Sequence, residues 1–429
     1  MQLEAIMTKF LTTTAIATIL AMPAMAEQTD ISQTVKALQL ALNSIDISDD
    51  ASGVSQAGIN AANIISIDFG SLDDVEQLSE DWMKQVSVND FETQGTFYNN
   101  AMLSDVSQSG TNVLNSIDLT TDGGPSYDIN RLSQKIDDAS QKAVNDIDIR
   151  NGTSIDIDQD ATNVMNMAAM DDLRDDSWGP DLLQTVDDSS QKASNKFDID
   201  LGVENIAQDA VNVMNLAEVE DDLKGDSFQI VEYSPQSATN SAFDTEIGAS
   251  IENLMQSAVN IANSLDVGGN STHGGSEYGA SITQVYKGYG SGQLASNLVK
   301  FSTGGVTGPL PTSSNDYIDQ SALNAINLAT VTDVGWTISQ SAKHVDQQAM
   351  NNAQGVGVGW GADITNFDQS ATNVGNILSA GALPDIPGMT EVSQNFSGFQ
   401  MAQNGMIGAD DLSAVTQAAT NVINSVSGL

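Results

Sequence analysis

The 429-residue sequence has no cysteine and few aromatic or basic residues. Without cysteine it has no disulfides, no thiolate nucleophile and no cysteine-type zinc site. Aromatic residues make up only 5% of the chain, which favours a thin, layered structure, although the hydrophobic fraction of 40% is too high for a disordered one. The 14 Lys and Arg against 57 Asp and Glu give a formal charge of −43. This charge excludes nucleic acid and anionic membranes as partners, because phosphate contacts need a basic surface.

Residues suited to catalysis are equally scarce. The two histidines, His273 and His344, lie outside any metal-ligand pattern, and no nucleophile elbow or phosphate-binding loop occurs. The segment "GVGVGWG" (355–361) is typical of a strand approached closely by another backbone. Acidic pairs such as Asp137-Asp138 recur throughout, so none is distinguished as a catalytic pair. We therefore predict that the protein is not an enzyme and has no cofactor.

Acidic residues also alternate with isoleucine in several segments. Stacked strands are expected to place these carboxylates in rows, where divalent cations would bind diffusely as counterions. No EF-hand loop or GGxGxD repeat is present, so the sequence predicts no specific metal site. The residues expected in rows are Asp46, Asp118, Asp148, Asp156 and Asp266.

The first 26 residues have the layout of a secretory signal peptide. Lys9 precedes an apolar stretch at 10–22, and Ala-Met-Ala at 24–26 supplies a cleavage pattern. Met1 and Met7 are alternative starts, because the first six residues fit such a signal less well. No later run reaches the roughly twenty apolar residues of a membrane span. We expect secretion via the periplasm to the extracellular space or cell surface, with no transmembrane segment.

The remaining chain, 27–429, contains a strong internal repeat. The pattern Gln-x-(Ala/Gly)-x-Asn-x-x-Asn recurs at intervals of about 49 residues, too regularly for chance. Its eight occurrences are Gln56, Asn60, Asn63; Gln108, Asn112, Asn115; Gln159, Asn163, Asn166; Gln208, Asn212, Asn215; Gln256, Asn260, Asn263; Gln320, Asn324, Asn327; Gln369, Asn373, Asn376; and Gln417, Asn421, Asn424.

A weaker pattern, Gln-x-Ala-x-Asn, lies between these matches, so each block of about 49 residues holds two related units. It is found at Gln39, Gln141, Gln191, Gln236 and Gln293, and in degraded form at Gln340.

The repeats are predicted to be strands. In "IDQDATN" (157–163) the residues Ile157, Gln159, Ala161 and Asn163 alternate with polar ones, which is the period of a strand rather than of a helix. Gly-, Asn- and Asp-rich clusters between the units supply turns. The fold class expected is all-β: a β-solenoid of stacked strand-turn-strand repeats, with irregular loop insertions at about 71–93, 268–316 and 381–411.

Inward-facing Gln and Asn have a physical explanation in such a stack. A buried amide without a partner costs about 1–3 kcal/mol. In layers about 4.8 Å apart, each amide donates to one neighbouring layer and accepts from the other. The repeated Gln and Asn are therefore expected to form structural ladders.

The repeats resemble those of curlin, the major subunit of bacterial curli amyloid. "SQAGINAAN" (55–63) and "SQSGTNVLN" (107–115) carry Gln, Gly and Asn in the curlin order, although the second glycine is missing and the closing Gln is replaced by Asn. The Gln/Asn-rich blocks and acidic linkers are also similar to Fap-type amyloid subunits. The resemblance implies a β-solenoid that assembles into extracellular fibres with a secretion or nucleator partner.

A polysaccharide-processing enzyme on a parallel β-helix would need a unique, non-repeated cluster of Asp or Lys/Arg residues, and none stands out, so two functions remain open from the sequence. The first is a structural subunit of an extracellular amyloid-like fibre, for biofilm matrix or adhesion, that self-assembles through a C-terminal repeat with no polar cap. The alternative is a monomeric β-solenoid adhesin or ligand-binding surface for polysaccharide or ice. Against ice, the Thr111, Thr162, Thr372 and Thr420 row is interrupted by apolar residues.

Overall fold

The computed structural model describes residues 29–47, 50–66, 72–94, 101–119, 128–150, 152–173, 181–200, 202–220, 223, 225–244, 250–268, 281–289, 292–302, 314–333, 337–356, 362–382, 391–407 and 409–427. The predicted signal peptide, His273 and the segment containing Pro384 and Pro387 lie outside these residues. Within them the chain forms strands and no helix. The all-β solenoid prediction is confirmed.

Two parallel sheets face each other across the core. Sheet B has eight strands that stack in chain order. They are β3 (Ala51–Ser66), β6 (Ala101–Leu119), β9 (Gly152–Met170), β13 (Val203–Val219), β16 (Ile251–Val267), β19 (Ser314–Asp333), β21 (Ala362–Ala382) and β23 (Ala409–Ser427).

Sheet A has fifteen strands, because most of its layers are split into two shorter strands. These are β1 (Thr29–Val35), β2 (Leu38–Ile47), β4 (Leu72–Ser79), β5 (Met83–Gln94), β7 (Asp128–Asp137), β8 (Ala139–Arg150), β10 (Asp172–Leu173), β11 (Leu182–Asp187), β12 (Ser190–Ile199), β14 (Ser227–Glu232), β15 (Gln236–Asp244), β17 (Ser281–Lys287), β18 (Gln293–Ser302), β20 (Thr337–Val356) and β22 (Glu391–Ile407).

Each repeat block forms one layer of the solenoid. Layer 1 holds β1 and β2 in sheet A and β3 in sheet B, and layer 8 holds β22 and β23. A residue and its partner in the next layer are therefore one block apart, as in the Gln159–Gln208 pair. The weak motif lies on sheet A and the strong motif on sheet B, so the two units of a block are the two walls of one layer.

All three predicted insertions contain strands among their described residues, so they are not loops throughout. β4 and β5 span 72–94, β17 and β18 fall within 268–316, and β22 occupies 391–407. Their acidic or glycine-rich outward positions obscured the pattern, because only alternate residues of these strands face the core.

Small residues set the distance between the walls. A column of alanines that includes Ala143 and Ala193 of sheet A and Ala161 and Ala210 of sheet B is completely buried. In the first two layers the motif has glycine instead. A Cβ at Gly58 would lie 2.4 Å from Ser87 Oγ, and this hydroxyl donates to the Gly58 carbonyl oxygen at 2.7 Å. Glycine in one wall thus compensates for the larger serine in the other.

The second Asn of the motif marks a bend in sheet B. Asn63 and its seven equivalents all have φ between 52° and 58°. This left-handed conformation is costly for most residues, and Asn is among the few that adopt it readily. The sheet A motif, which lacks the second Asn, has no bend at that position. Asn at the second position therefore has a backbone role in addition to its amide.

Candidate functional site: six amide ladders and two end layers

The predicted ladder residues form three continuous rows on sheet B. In the Gln56 row each Nε2 donates to Oε1 of the preceding layer at 2.6–2.9 Å, from Gln108 to Gln417. In the Asn60 row each Nδ2 donates to Oδ1 of the following layer at 2.8–2.9 Å. The Asn63 row does the same over the same distances. All 24 predicted residues are thus hydrogen-bonded to their equivalents.

Sheet A carries three more ladders that the sequence analysis found only in part. The Gln39 row and the Asn43 row contain the weak motif, and they also include layers in which the motif was overlooked. Their members are Gln39, Gln85, Gln141, Gln191, Gln236, Gln293, Gln347 and Gln400, and Asn43, Asn89, Asn145, Asn195, Asn240, Asn297, Asn351 and Asn404.

The assignment of Gln340 to the weak motif was wrong. Gln347 occupies that place, within the sequence Gln-Gln-Ala-Met-Asn, and donates to Gln293 at 2.8 Å. Gln340 belongs to a separate row, linked by bonds of 2.7–3.0 Å, for which the sequence analysis proposed no motif. Its members are Gln33, Gln77, Gln134, Gln184, Gln229, Gln284, Gln340 and Gln394. The recurrence of one Gln per block was the available signal.

Many of these amides also bond across the core. Gln191 Nε2 donates to the Val213 carbonyl oxygen of the facing sheet at 2.9 Å as well as to Gln141. Asn195 Nδ2 similarly donates to the Asp209 carbonyl oxygen at 2.7 Å. Since both N–H groups of such an amide are used, the ladder meets the desolvation cost of buried polar groups and joins the two walls.

The ladders have a direction. In all three Gln ladders the N–H groups point toward layer 1, and in all three Asn ladders they point toward layer 8. Layer 8 consequently ends in the Gln carbonyl oxygens and Asn amide groups of its six ladder residues, whereas layer 1 ends in the complementary groups. Gln400 Oε1 is buried without a hydrogen-bond partner.

The central segments of the end-layer strands carry very little charge. No charged residue occurs in 51–66, 392–407 or 413–427, and Lys36 is the only one in 31–45. Inner layers differ: β13 alone contains Glu204, Asp209 and Glu218. The charged residues of the end-layer strands lie at or near the strand ends, at Asp30, Asp46, Glu391, Asp410 and Asp411.

Acidic residues form rows along the stack, on both sheets. Asp46 aligns with Glu92, Asp148 and Asp198 on sheet A. On sheet B, Asp118 and Asp266 lie in one row, while Asp156 lies in a separate row beside Asp105 at a left-handed bend.

Burial and like charge affect these carboxyls. Burial raises the pKa of Glu218, and Asp266, Glu220 and Asp118 raise it further. Burial and then Asp146 raise the pKa of Asp90. The described Lys and Arg residues all lie on sheet A or in its links, and the strands of sheet B contain none. Sheet B therefore presents an outer face with acidic residues and no basic ones.

Other features offer little for chemistry. His344 packs against Tyr289 with ring centroids 4.4 Å apart and the rings tilted by 32°. Among the described residues no three His, Asp or Glu side chains converge as a metal site. Nor does this part of the chain contain a helix that is long and apolar enough to span a membrane.

Comparison with protein families, with curated proteins and with solved structures gives no match.

Proposed function

We propose that the protein is a secreted structural subunit of an extracellular amyloid-like fibre, in which solenoids stack end to end. The observation that carries the proposal is that six amide ladders run through every layer and stop at both end layers at groups that have no ladder partner within the described residues. An open strand edge of this kind pairs readily with another chain.

Charge supports the same function. A chain with a charge of −43 resists association through most of its surface, because like charges repel. In the two end layers the central segments of the strands are almost free of charge, and the carboxylates lie at or near the strand ends. The centres of the open edges therefore oppose association less than the acidic surface does. Export and a role in biofilm matrix or adhesion remain part of this proposal, on the strength of the signal-like N-terminus and the curlin-like repeats.

The monomeric adhesin alternative has less support. Its best candidate surface, the threonine row on the outer face of sheet B, aligns Thr111 and Thr162 with Ile59, Val211 and Val259. A flat ice-binding face needs a regular row, and this one is mixed.

The test is fibre growth by residues 27–429, followed by electron microscopy and sedimentation. Wild-type chains are expected to form unbranched fibres. Asn421→Asp should slow elongation at least about tenfold, because an aspartate still accepts the bond from Asn373 Nδ2 but loses the N–H groups that face the next copy. Thr420→Asp is the matched control: it adds the same charge at the adjacent outward position and should have a small effect. Soluble monomers at all concentrations would contradict the proposal.

A further inference from the structure

We infer that the fibre junction is strictly head-to-tail and has one register, with layer 8 of one copy on layer 1 of the next. This inference rests on the proposed function and specifies the partner surface as the opposite end of a second copy. It assigns Gln417 to Gln56, Gln400 to Gln39, and Gln394 to Gln33 across the junction.

The first support is the direction of the ladders. At layer 8 the Oε1 atoms of Gln394, Gln400 and Gln417 accept no ladder bond within the described chain. At layer 1 the Nε2 atoms of Gln33, Gln39 and Gln56 donate no ladder bond, although each donates to a carbonyl oxygen of the facing sheet. The Asn rows are complementary in the opposite sense, since Asn60 and Asn63 of layer 1 use Nδ2 but not Oδ1 in their ladders. Translation of one copy by eight layers therefore places a donor opposite an acceptor in all six rows; in the Asn404 row the new bond replaces the 3.2 Å bond from Asn404 Nδ2 to the Gln369 carbonyl oxygen.

Contact between like ends cannot achieve this. A two-fold axis would reverse the strand direction at the junction and remove the parallel register of every row. Where Gln rows still met, carbonyl oxygen would face carbonyl oxygen. Cross-core bonds such as that from Gln39 Nε2 to the Ala61 carbonyl oxygen, at 2.9 Å, restrain the amides from turning over.

The second support is independent of the amides. On the outer face of sheet A, Leu38 and Leu40 of layer 1 are 61% and 54% exposed, and Phe399 of layer 8 is 54% exposed. The proposed register places Phe399 next to Leu38 and Met401 next to Leu40. The Leu38 row carries Lys84, Ser140, Ser190 and Asp346 in inner layers, whereas the Leu40 row also has apolar Val86 and Leu294 there. In the Leu38 row, apolar residues therefore replace polar ones where the two ends would meet, and pairing Phe399 with Leu38 removes apolar surface from water.

The register can be mapped by disulfide trapping, because the natural chain has no cysteine. Ala57 and Ala418 are both exposed on the outer face of sheet B, and each directly follows a ladder Gln. The proposed junction makes them neighbours on adjacent strands. Chains with Ala57→Cys and chains with Ala418→Cys are mixed in equal amounts, assembled and oxidised, and the linked peptides are identified by mass spectrometry.

The expected product is the 57–418 link, at least about tenfold more abundant than either 57–57 or 418–418. In the control, Thr416→Cys replaces Ala418→Cys; the sulfurs are then displaced by two residues, about 7 Å along the strand, and the link to 57 should fall at least about tenfold. Fibres with predominant 57–57 and 418–418 links, or with equal links from 416 and 418, would overturn the inference while leaving the fibre function intact. Absence of fibres in every arm, the unsubstituted chain included, would instead overturn the proposed function, and the inference with it.

Discussion

Individual Gln and Asn side chains in the ladders contribute directly to the stability of the folded chain. Each ladder Gln or Asn of an inner layer has partners in the two adjacent layers and, in many cases, a third partner on the facing wall, as for Gln208 with Gln159, Gln256 and the Ser241 carbonyl oxygen. Replacing one amide therefore leaves several buried groups without partners. The adjacent outward residue has no such role in the core.

Gln208→Leu should lower the free energy of unfolding of the monomer by about 2–3 kcal/mol, because buried donors and acceptors are left unpaired. Asp209→Ser is the matched control, since Ser257 occupies the same row in the next layer. Its effect should stay within about 0.5 kcal/mol. Urea unfolding of dilute, unassembled chains gives both values. Equal losses for the two variants would refute the inward assignment of the ladder.

Gly58 and Ser87 should behave as a coupled pair. Gly58→Ala places a methyl group 2.4 Å from Ser87 Oγ and should destabilise the monomer by about 1–3 kcal/mol. Ser87→Ala removes the hydroxyl and should restore most of that loss in the double variant. Gly110→Ala should cost less, because its Cβ would lie 3.2 Å from the same atom. A double-mutant cycle by urea unfolding measures the coupling, and strict additivity would contradict this account of the wall spacing.

The inward position of the ladder residues is predictable from the sequence, but their second roles are not. Gln159, Asn163 and Asn166 recur with constant spacing, so the inward ladder followed from periodicity and the cost of buried amides. The second role of Asn166, at φ 56°, could not be predicted, because the bend depends on how the two walls close around the core. Gln77 and Gln134 were missed because their neighbours share no motif.

At the scale of the strand, acidic rows oppose folding at neutral pH. The pKa of Glu218 is raised in the folded state, so the folded protein binds more protons than the unfolded chain between the ordinary carboxyl pKa of about 4 and the raised value. Stability therefore increases as pH falls through this window.

Asp316 has the opposite effect, because its pKa is lowered by hydrogen bonds from Thr365 and Asn366 and from the Tyr317 backbone N–H. Its contribution to stability is lost as pH falls.

Glu218→Gln is expected to stabilise the monomer slightly at pH 7, by less than about 1 kcal/mol because the group is partly exposed. It should also reduce the increase in the free energy of unfolding that occurs as pH falls. Asp316→Asn should destabilise it at pH 7, and the difference from wild type should disappear as pH falls below the carboxyl range. Urea unfolding at a series of pH values measures both. Parallel pH profiles for wild type and both variants would contradict the assigned pKa shifts.

Element prediction from sequence failed where charge hid the alternation. Residues 72–94 contain eight acidic or basic residues. Val75, Gln77 and Gln85 are nevertheless buried in the core, and they are separated by even numbers of residues, as the alternation of a strand requires. The single Gln per strand was too weak a signal without the register of neighbouring layers. The strands of sheet B, which carry the complete motif, were predictable for the converse reason.

For the whole molecule, growth should depend on a flush end in which both walls stop at the same layer. Removing residues 409–429 deletes β23 but keeps β22, so Gln394 Nε2 and Asn404 Nδ2 lose their bonds to the Ser425 and Ala418 carbonyl oxygens. This stepped end should elongate several-fold more slowly than wild type. Removing residues 383–429 deletes all of layer 8 and leaves the complete ladders of layer 7. Seeded elongation should be faster for this shorter chain than for the stepped one, and the reverse order would contradict the model of growth by whole layers.

Assembly should also respond to general screening of the acidic surface. Added magnesium is expected to accelerate elongation nearly as much as equal concentrations of calcium, because screening does not depend on ion-specific ligands. Thioflavin fluorescence or light scattering on seeded samples measures the rates. An effect of calcium that magnesium fails to reproduce would indicate a specific site.

The most direct test of the central claim is the axial repeat of the assembled fibre, measured by cryo-electron microscopy or fibre diffraction. Eight layers about 4.8 Å apart, stacked without a gap, predict a strand spacing of about 4.8 Å within a subunit repeat of about 38 Å. Both spacings should lie along the fibre axis. Fibres that lack the subunit repeat, or that place the strands parallel to the axis, would contradict end-to-end stacking of intact solenoids.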